Sequence, residues 1–217
     1  AWNSAMLRPD VFTAVAGLSV PFSPPSQVRP TTAMRAMAGD EEFYIEYFQE
    51  PGRAEAEIES DIRDWLLGFM FSGSGDAPLP DLSKGTLATI PSGARMKDRF
   101  SRPDTMPAWL TDADVDVYTS EFEHGGLRGP LNRYRNVDRD WEDLAAFRGA
   151  RIDVPALFIG GDRDGPTIWG TPAIAAFEQT LPKLHRSIIL EGCGHWTQQE
   201  RPAEVNEALI DFLGSLS

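Results

Sequence analysis

Cysteine and histidine are scarce in this sequence of 217 residues, which contains one cysteine, Cys193, and three histidines. A single cysteine cannot form an internal disulfide, and zinc sites built from cysteine and histidine need more residues of both types. We therefore expect no structural metal and no cofactor. The low cysteine content also favours a reducing, cytoplasmic location.

Basic residues are outnumbered, with 20 Lys and Arg against 33 Asp and Glu, so the formal net charge is −13. A protein that binds nucleic acid needs a surplus of Lys and Arg somewhere on its surface, and no basic run is present. No apolar run approaches the roughly 18 residues that cross a bilayer, and residues 1–7 lack the pattern of a secretory signal. We expect neither a nucleic-acid partner nor a membrane partner.

Short apolar runs lie near the two ends of the sequence. Residues 11–20, 152–161 and 187–190 are nearly continuous apolar segments, and β-branched residues are frequent in them. Runs of this kind are typical of strands that are buried on both faces of a parallel sheet. The sequence before, between and after these runs favours helices at 1–7, at 171–181 and after Pro202. After Pro202, apolar residues recur at helical spacing.

The middle of the chain has a different, mostly helical pattern. Apolar residues from Ile58 to Phe69 follow the spacing of one amphipathic helix. Thr111 and Asp114 form a capping box that predicts the start of a second helix, and Gly125 and Gly126 predict its end. Residues 72–80 and 91–107 are rich in Gly, Pro and Ser and are predicted to be surface loops.

Strands that alternate with helices indicate an α/β fold with a parallel sheet. We predict a first core segment at residues 1–21, an inserted helical cap domain at 22–150 and the C-terminal part of an α/β-hydrolase core at 151–217. The cap would then interrupt the chain of the core.

Two polar residues follow predicted strands of this core. Asp164 comes after the run at 152–161, and His195 comes after the run at 187–190. Ligands of open parallel sheets bind beyond the carboxyl ends of the strands, and an acid followed later by a histidine is the order found in α/β-hydrolases. The acid would orient the imidazole while the ring removes a proton. Asp162 is the competing acid, and we expect it to be a turn residue.

Three longer motifs carry a specific resemblance. They are residues 43–55 (FYIEYFQEPGRAE), residues 128–136 (RGPLNRYRN) and residues 192–198 (GCGHWTQ). Together they resemble the signatures of soluble epoxide hydrolases, and the likeness extends over nearly the whole chain. The resemblance implies an enzyme that adds water to an epoxide to give a vicinal diol, with a role in detoxification.

The resemblance also implies site residues. In this family an aspartate attacks an epoxide carbon to form an ester, and two tyrosines donate hydrogen bonds to the ring oxygen. A histidine with an acid partner then activates the water that hydrolyses the ester. By their places in the motifs, the tyrosines match Tyr44 and Tyr134, the acid matches Asp164 and the base matches His195. We expect Tyr47, Trp196 and Cys193 to be packing residues.

The nucleophilic aspartate of the family has no counterpart in these 217 residues, and Asp10, in a turn, is a poor candidate. We therefore expect the sequence to be part of a longer enzyme. Two alternatives stay open: a haloalkane dehalogenase, which uses the same core, and a non-catalytic fragment that binds ligands. The expected partners are an epoxide and water, and the sequence permits a homodimer.

Overall fold

A computed structural model of the chain describes residues 1–79 and 86–216. The chain forms two compact units. The core unit contains residues 1–26, 73–76 and 147–217, and the helical unit contains residues 27–72 and 77–146. The cap was predicted at 22–150, whereas residues 22–26, 73–76 and 147–150 group with the core unit. Pro80, the last residue of the predicted loop 72–80, lies outside the described residues.

The described elements are short strands and helices. The strands are β1 (Val15–Leu18), β2 (Glu42–Phe43), β3 (Thr89–Ile90), β4 (Ala156–Gly161) and β5 (Leu184–Leu190). The α-helices are α1 (Trp2–Leu7), α2 (Pro30–Ala38), α3 (Tyr44–Tyr47), α4 (Arg53–Ile58), α5 (Ile62–Ser72), α6 (Asp112–Gly125), α7 (Arg128–Arg135), α8 (Val137–Asp143), α9 (Gly165–Trp169), α10 (Thr171–Ala175), α11 (Phe177–Thr180), α12 (Thr197–Glu200) and α13 (Pro202–Gly214). Two 3₁₀ helices lie at Met96–Arg99 and Ala145–Phe147.

A three-stranded parallel sheet organises the core unit, in the order β1-β4-β5. The central strand β4 pairs with β1 through Val15 and Ala156, and with β5 through Gly161 and Leu190. All six residues of β4 are buried, as expected for a continuous apolar run between two neighbouring strands. The prediction of a buried parallel strand is confirmed here, although β4 begins at Ala156 and residues 152–155 of the predicted run lie outside it.

The predictions for the two outer strands were partly wrong. Residues 11–20 were predicted to form one strand, but β1 begins only at Val15. The N–H groups of Val11 and Phe12 instead bond to the carbonyl of Arg8, which closes a turn after α1. The run at 187–190 was predicted to be buried, but Ile189 is 46% exposed. Among the described strands β5 pairs only with β4, so it is an edge strand with less cover.

Helices cover the sheet through apolar side chains. Val205, Ala208 and Phe212 of α13 pack against Leu157 and Ile159 of β4. This confirms the predicted terminal helix, although Leu213 of the same predicted stripe is exposed. On β1, a Cβ atom at Gly17 would lie 2.1 Å from the ring of Trp2, so only glycine allows α1 to approach this closely.

The helix predicted at 171–181 is divided into two short helices. At Ala176 the backbone has φ −92° and ψ 3°, which ends α10. The carbonyl of Ala176 then accepts the N–H groups of Gln179 and Thr180, which begins α11. Phe177, the first residue of α11, is buried against Phe158 with 5.4 Å between the ring centroids.

In the helical unit, one predicted helix is confirmed and the other is divided into two helices. Thr111 caps α6 by accepting the N–H of Asp114, and the helix ends at Gly125 as its glycines predicted. The stripe from Ile58 to Phe69 was predicted as one helix but spans α4 and α5. Asp61 interrupts it, because its carboxylate accepts the N–H of Asp64 and caps the first turn of α5.

The segment 91–107 is more than the predicted surface loop. Its 3₁₀ helix carries Met96, which is 1% exposed and belongs to the apolar core of the helical unit. The carboxylate of Glu57, on α4, accepts the backbone N–H groups of Met96 and Lys97 at 3.1 and 2.9 Å. The buried acid therefore holds this segment against the core, a long-range contact that local composition does not reveal.

Within the described ranges, no helix has both the length and the apolar character required to cross a membrane.

Candidate active site

The carboxyl ends of β4 and β5 bring Asp164 and His195 together. Nδ1 of His195 lies 2.9 Å from Oδ1 of Asp164. The side chain of Asp164 is 1% exposed, whereas that of His195 is 33% exposed. A buried acid therefore faces one nitrogen of a ring that still reaches solvent, which is the arrangement that fixes a histidine tautomer for proton transfer at the other nitrogen.

The second oxygen of Asp164 is held by Thr167. The backbone N–H of Thr167 donates to Oδ2 of Asp164 at 3.2 Å, and the hydroxyl of Thr167 lies 2.8 Å from the same oxygen. Asp164 is thus the N-cap of α9 as well as the partner of His195. The cap and the histidine use different oxygens, so the turn role and the acid role of Asp164 are compatible.

Ser19, directly after β1, contacts both Thr167, which holds the acid, and the backbone of the base. Its carbonyl lies 2.9 Å from the hydroxyl of Thr167, and its own hydroxyl donates to the carbonyl of His195 at 2.6 Å. Within the described residues Ser19 is the only non-glycine residue with a positive φ, at 64°. A strained backbone of this kind persists where its surroundings hold it in place.

The backbone around His195 is anchored to the segment 73–76. The N–H of His195 donates to the carbonyl of Gly73 at 2.8 Å. The buried carboxylate of Glu200 accepts the N–H groups of Gly75, Gly194 and Trp196 at 2.8, 2.9 and 3.0 Å. Sequence reasoning missed Glu200, although an acid five residues after a predicted catalytic histidine is a signal that could have been examined.

The neighbours of this pair have the packing or turn roles that were expected. Cys193 is fully buried, and burial together with the nearby carboxylate of Glu200 raises the pKa of its thiol to about 12. The thiol is therefore protonated near neutral pH. Trp196 packs edge-on against the imidazole of His195, and Asp162 accepts the N–H of Gly192 in the adjoining turn.

In the helical unit, Tyr44 and Tyr134 are brought together by aromatic packing. Tyr44 is the first residue of α3 and Tyr134 lies near the end of α7. Their ring centroids are 5.9 Å apart with an edge-to-face angle of 75°, and both rings contact Phe48. Both side chains are partly buried, so two separated motifs of the sequence converge on one aromatic cluster.

Polar side chains of the same motifs fasten the two tyrosine segments together. The amide of Gln49 donates to the carbonyls of Ile45 and Tyr134, both at 2.9 Å. Arg135 donates to the carbonyl of Phe48 at 2.8 Å and pairs with Glu55, where two nitrogen–oxygen contacts measure 2.8 Å. The guanidinium of Arg135 holds the pKa of the Glu55 carboxyl below its usual value.

Tyr47 is a packing residue with a polar anchor. It is 4% exposed, and its hydroxyl donates to the carboxylate of Glu57, which also accepts the indole N–H of Trp65 at 3.0 Å. Burial, reinforced by the bond to Glu57, raises the pKa of Tyr47 well above its usual range. The phenol therefore stays protonated, and its hydroxyl is committed to the interior of the helical unit.

Of the four predicted site residues, the structure pairs Asp164 with His195 and, separately, Tyr44 with Tyr134. The two pairs belong to different units. Across residues 1–79 and 86–216, no group of three or more His, Cys, Asp or Glu side chains could hold a metal ion.

Known proteins resemble this chain. The chain is 40% identical to epoxide hydrolase B of Mycobacterium tuberculosis, and the match covers the whole chain and 69% of that protein. This chain belongs to the epoxide hydrolase family. No family model matches the chain. Its fold is the α/β-hydrolase fold of this family: a parallel sheet whose chain is interrupted by an inserted helical cap.

Solved structures of epoxide hydrolases resemble the chain closely. A structure of an epoxide hydrolase from an endophytic Streptomyces is 58% identical and superimposes with a TM-score of 0.94. Epoxide hydrolase A from Mycobacterium thermoresistibile is 46% identical, with a TM-score of 0.86. The chain spans 64% and 65% of the lengths of these two proteins, so it corresponds to about two thirds of an epoxide hydrolase.

Proposed function

We propose that this chain supplies the acid–base pair and the tyrosine pair of an enzyme that adds water to an epoxide to give a vicinal diol. The observation that carries the proposal is the 2.9 Å contact between Nδ1 of His195 and Oδ1 of the buried Asp164, in a chain of the epoxide hydrolase family. The contact engages Nδ1 and leaves Nε2 as the nitrogen that can accept a proton.

In the first step, Tyr44 and Tyr134 donate hydrogen bonds to the epoxide oxygen. The family mechanism has an aspartate carboxylate attack one ring carbon, which breaks a carbon–oxygen bond and leaves negative charge on that oxygen. A phenol has a pKa of about 10, so it is a neutral donor near pH 7 and can stabilise the developing charge. The aspartate is not among residues 1–217, and we infer that another part of the enzyme provides it.

In the second step, His195 accepts a proton from water at Nε2 while the water oxygen attacks the ester carbonyl carbon. The ester carbon–oxygen bond to the diol then breaks, and the proton on His195 is returned to the leaving alkoxide. Asp164 stabilises the imidazolium that exists between these events, because its carboxylate accepts the Nδ1 proton. The second proton of the water leaves the regenerated aspartic acid and compensates for the proton that the ring-oxygen alkoxide of the first step takes up. Water and the epoxide are thus consumed, the diol is released and the aspartate carboxylate is regenerated.

The tyrosine assignment is tested with the enzyme that contains this chain and with styrene oxide as substrate. A Tyr44→Phe, Tyr134→Phe double variant keeps both rings of the aromatic cluster and removes both donors. We expect its kcat/KM to fall at least about 100-fold, since removing one such donor already costs 10²–10³-fold in other enzymes. The rate of diol formation is measured by chromatography.

Tyr118→Phe is the matched control, because it makes the same change at a tyrosine of α6 that packs against the apolar core of the same unit. It should retain wild-type turnover. A double variant that is folded and still forms diol at the wild-type rate would remove both tyrosines from the mechanism. An unmodified enzyme without diol formation would refute the proposed activity itself.

We also infer the setting in which the enzyme acts. An epoxide and water are its proposed reactants, and the chemistry assigned to these residues needs no cofactor. The single cysteine supports a cytoplasmic location, and the net charge of these residues is −13. A homodimer stays compatible with this charge, and sedimentation of the purified enzyme would determine its oligomeric state.

A further inference from the structure

One buried acid of the core unit has no part in the mechanism described above. Glu200, the last residue of α12, is 7% exposed. Its Oε2 atom accepts the N–H groups of Gly75 and Gly194 at 2.8 and 2.9 Å, and its Oε1 atom accepts the N–H of Trp196 at 3.0 Å. Removing a carboxylate from water is costly, and three backbone donors offset that cost.

The three donors surround His195. Gly194 and Trp196 are its two neighbours in the chain, so one carboxylate fixes the backbone on both sides of the imidazole. Gly75 belongs to the segment whose Gly73 carbonyl accepts the N–H of His195 itself. A Cβ atom at Gly194 would lie 2.4 Å from the oxygen of Gly73, which shows how closely the two segments approach.

The charge of Glu200 also reaches this loop. After burial, its carboxylate is the strongest influence that raises the pKa of the Cys193 thiol, two residues before His195. Arg201, Asp164 and Asp162 are the other charged groups that act on the same thiol. Arg163 donates its backbone N–H to the carbonyl of Cys193 and its guanidinium to the carbonyl of Gly75.

We propose that Glu200 is a positioning residue for His195, which holds the imidazole within hydrogen-bond reach of Asp164 through the backbone N–H groups on either side of it. Its importance for turnover rests on the proposed function. Its effect on the imidazole does not, because the hydrogen bond between His195 and Asp164 can be measured without substrate.

Glu200→Gln tests the proposal with little change in side-chain volume. Glutamine has one acceptor oxygen, so an amide N–H would face at least one of the three backbone donors and push the loop away. As His195 moves from Asp164, the hydrogen bond between them weakens, and we expect the Nδ1 proton of His195 to exchange with water about tenfold faster. The measurement is an NMR exchange experiment on the His195 ring N–H, identified by its loss in His195→Gln.

Glu207→Gln is the control, because it makes the same substitution at an exposed position of α13. It should leave the exchange rate of the His195 ring N–H unchanged. Glu200→Asp keeps the charge but shortens the side chain, and should speed this exchange by less than Glu200→Gln does. If Glu200→Gln does not fold, the same exchange measurement on Glu200→Asp decides between the outcomes.

A folded Glu200 variant with the wild-type exchange rate of the His195 ring N–H would overturn the proposal and leave Glu200 with a purely structural role. In the active enzyme, weaker positioning of the base slows ester hydrolysis, so we expect kcat to fall about tenfold or more and KM to fall with it. Faster exchange of this proton in an enzyme without epoxide turnover would support the positioning role and refute the proposed function.

Discussion

The two candidate pairs are held by different means. In the core unit, Asp164 and His195 are fixed mainly by hydrogen bonds to backbone groups and to small hydroxyl side chains, as in the contacts of Ser19. In the helical unit, Tyr44 and Tyr134 are packed around Phe48 in an aromatic cluster. A proton acceptor requires a defined direction, whereas a phenol can rotate its hydroxyl toward an oxygen that moves during ring opening.

Each unit also contains a buried glutamate that accepts several donors, and these two residues sharpen the comparison. Glu200 accepts only backbone N–H groups, which belong to the segments around His195. Glu57 accepts two backbone N–H groups, the hydroxyl of Tyr47 and the indole of Trp65. We therefore expect Glu200 to control the site and Glu57 to control the stability of the helical unit.

The largest effect is expected from His195→Gln, which removes the base and keeps a polar side chain. Turnover of styrene oxide should fall at least about 1,000-fold, within the range that general bases contribute. Because the tyrosine pair is unchanged, the first step should continue and the ester should accumulate. Mass spectrometry of the protein after addition of substrate should detect one added substrate mass.

The same experiment on Tyr44→Phe, Tyr134→Phe separates the two pairs. This double variant should lose turnover without accumulating the ester, since its defect precedes ester formation. Accumulation in both variants, or in neither, would contradict the division of the reaction between the two units.

The second prediction concerns Glu57→Gln. Each oxygen of Glu57 accepts two donors, so a glutamine leaves donors of the helical unit without an acceptor. We expect the free energy of unfolding to fall by about 2–3 kcal/mol. Urea denaturation, monitored by tryptophan fluorescence, measures this loss.

Glu59→Gln is the control, because Glu59 is exposed and lies two residues further along the chain. It should change the free energy of unfolding by less than about 0.5 kcal/mol. Unlike Glu200→Gln, Glu57→Gln should leave the exchange rate of the His195 ring N–H unaltered. Faster exchange of that proton would contradict the contrast between the two glutamates.

Local patterns in the sequence predicted the elements that depend on neighbouring residues. The capping box at Thr111 and the apolar run of β4 depend on short segments, and both predictions are confirmed. The extent of β1 and the exposure of Ile189 were predicted wrongly, because strand pairing and edge position are properties of the sheet. Composition alone cannot supply this information.

The site was partly visible in the sequence for the same reason. Asp164 and His195 follow strands, and the resemblance identified the tyrosines, so all four could be named. Ser19 could not be assigned a role, because its partner His195 is 176 residues away in the chain, and the contact of Glu200 with Gly75 spans 125 residues. Sequence separation of that size leaves no local pattern to recognise.

The smallest effect is expected at the ion pair of Glu55 and Arg135, which links the two tyrosine segments. Both side chains are at most 15% exposed, and the pKa of Glu55 is lowered chiefly by its bond to Arg135. A depressed pKa means that the folded protein favours the ionised form. The stabilisation is therefore complete above the unfolded pKa of about 4.3 and is lost as pH falls through the lower folded-state value.

Glu55→Gln should accordingly reduce the free energy of unfolding by about 1 kcal/mol at pH 7, and the difference from wild type should shrink below about pH 4. Urea denaturation at pH 7, 5 and 3.5 measures this change. A difference that stays constant across this range would mean that packing, and not the charge of Glu55, fastens Tyr134 to the segment of Tyr44. The tyrosine pair would then be held by apolar contacts and by the neutral hydrogen bonds of Gln49, with no contribution from this charge, and the contrast with the Asp164–His195 pair of the core unit would be sharper.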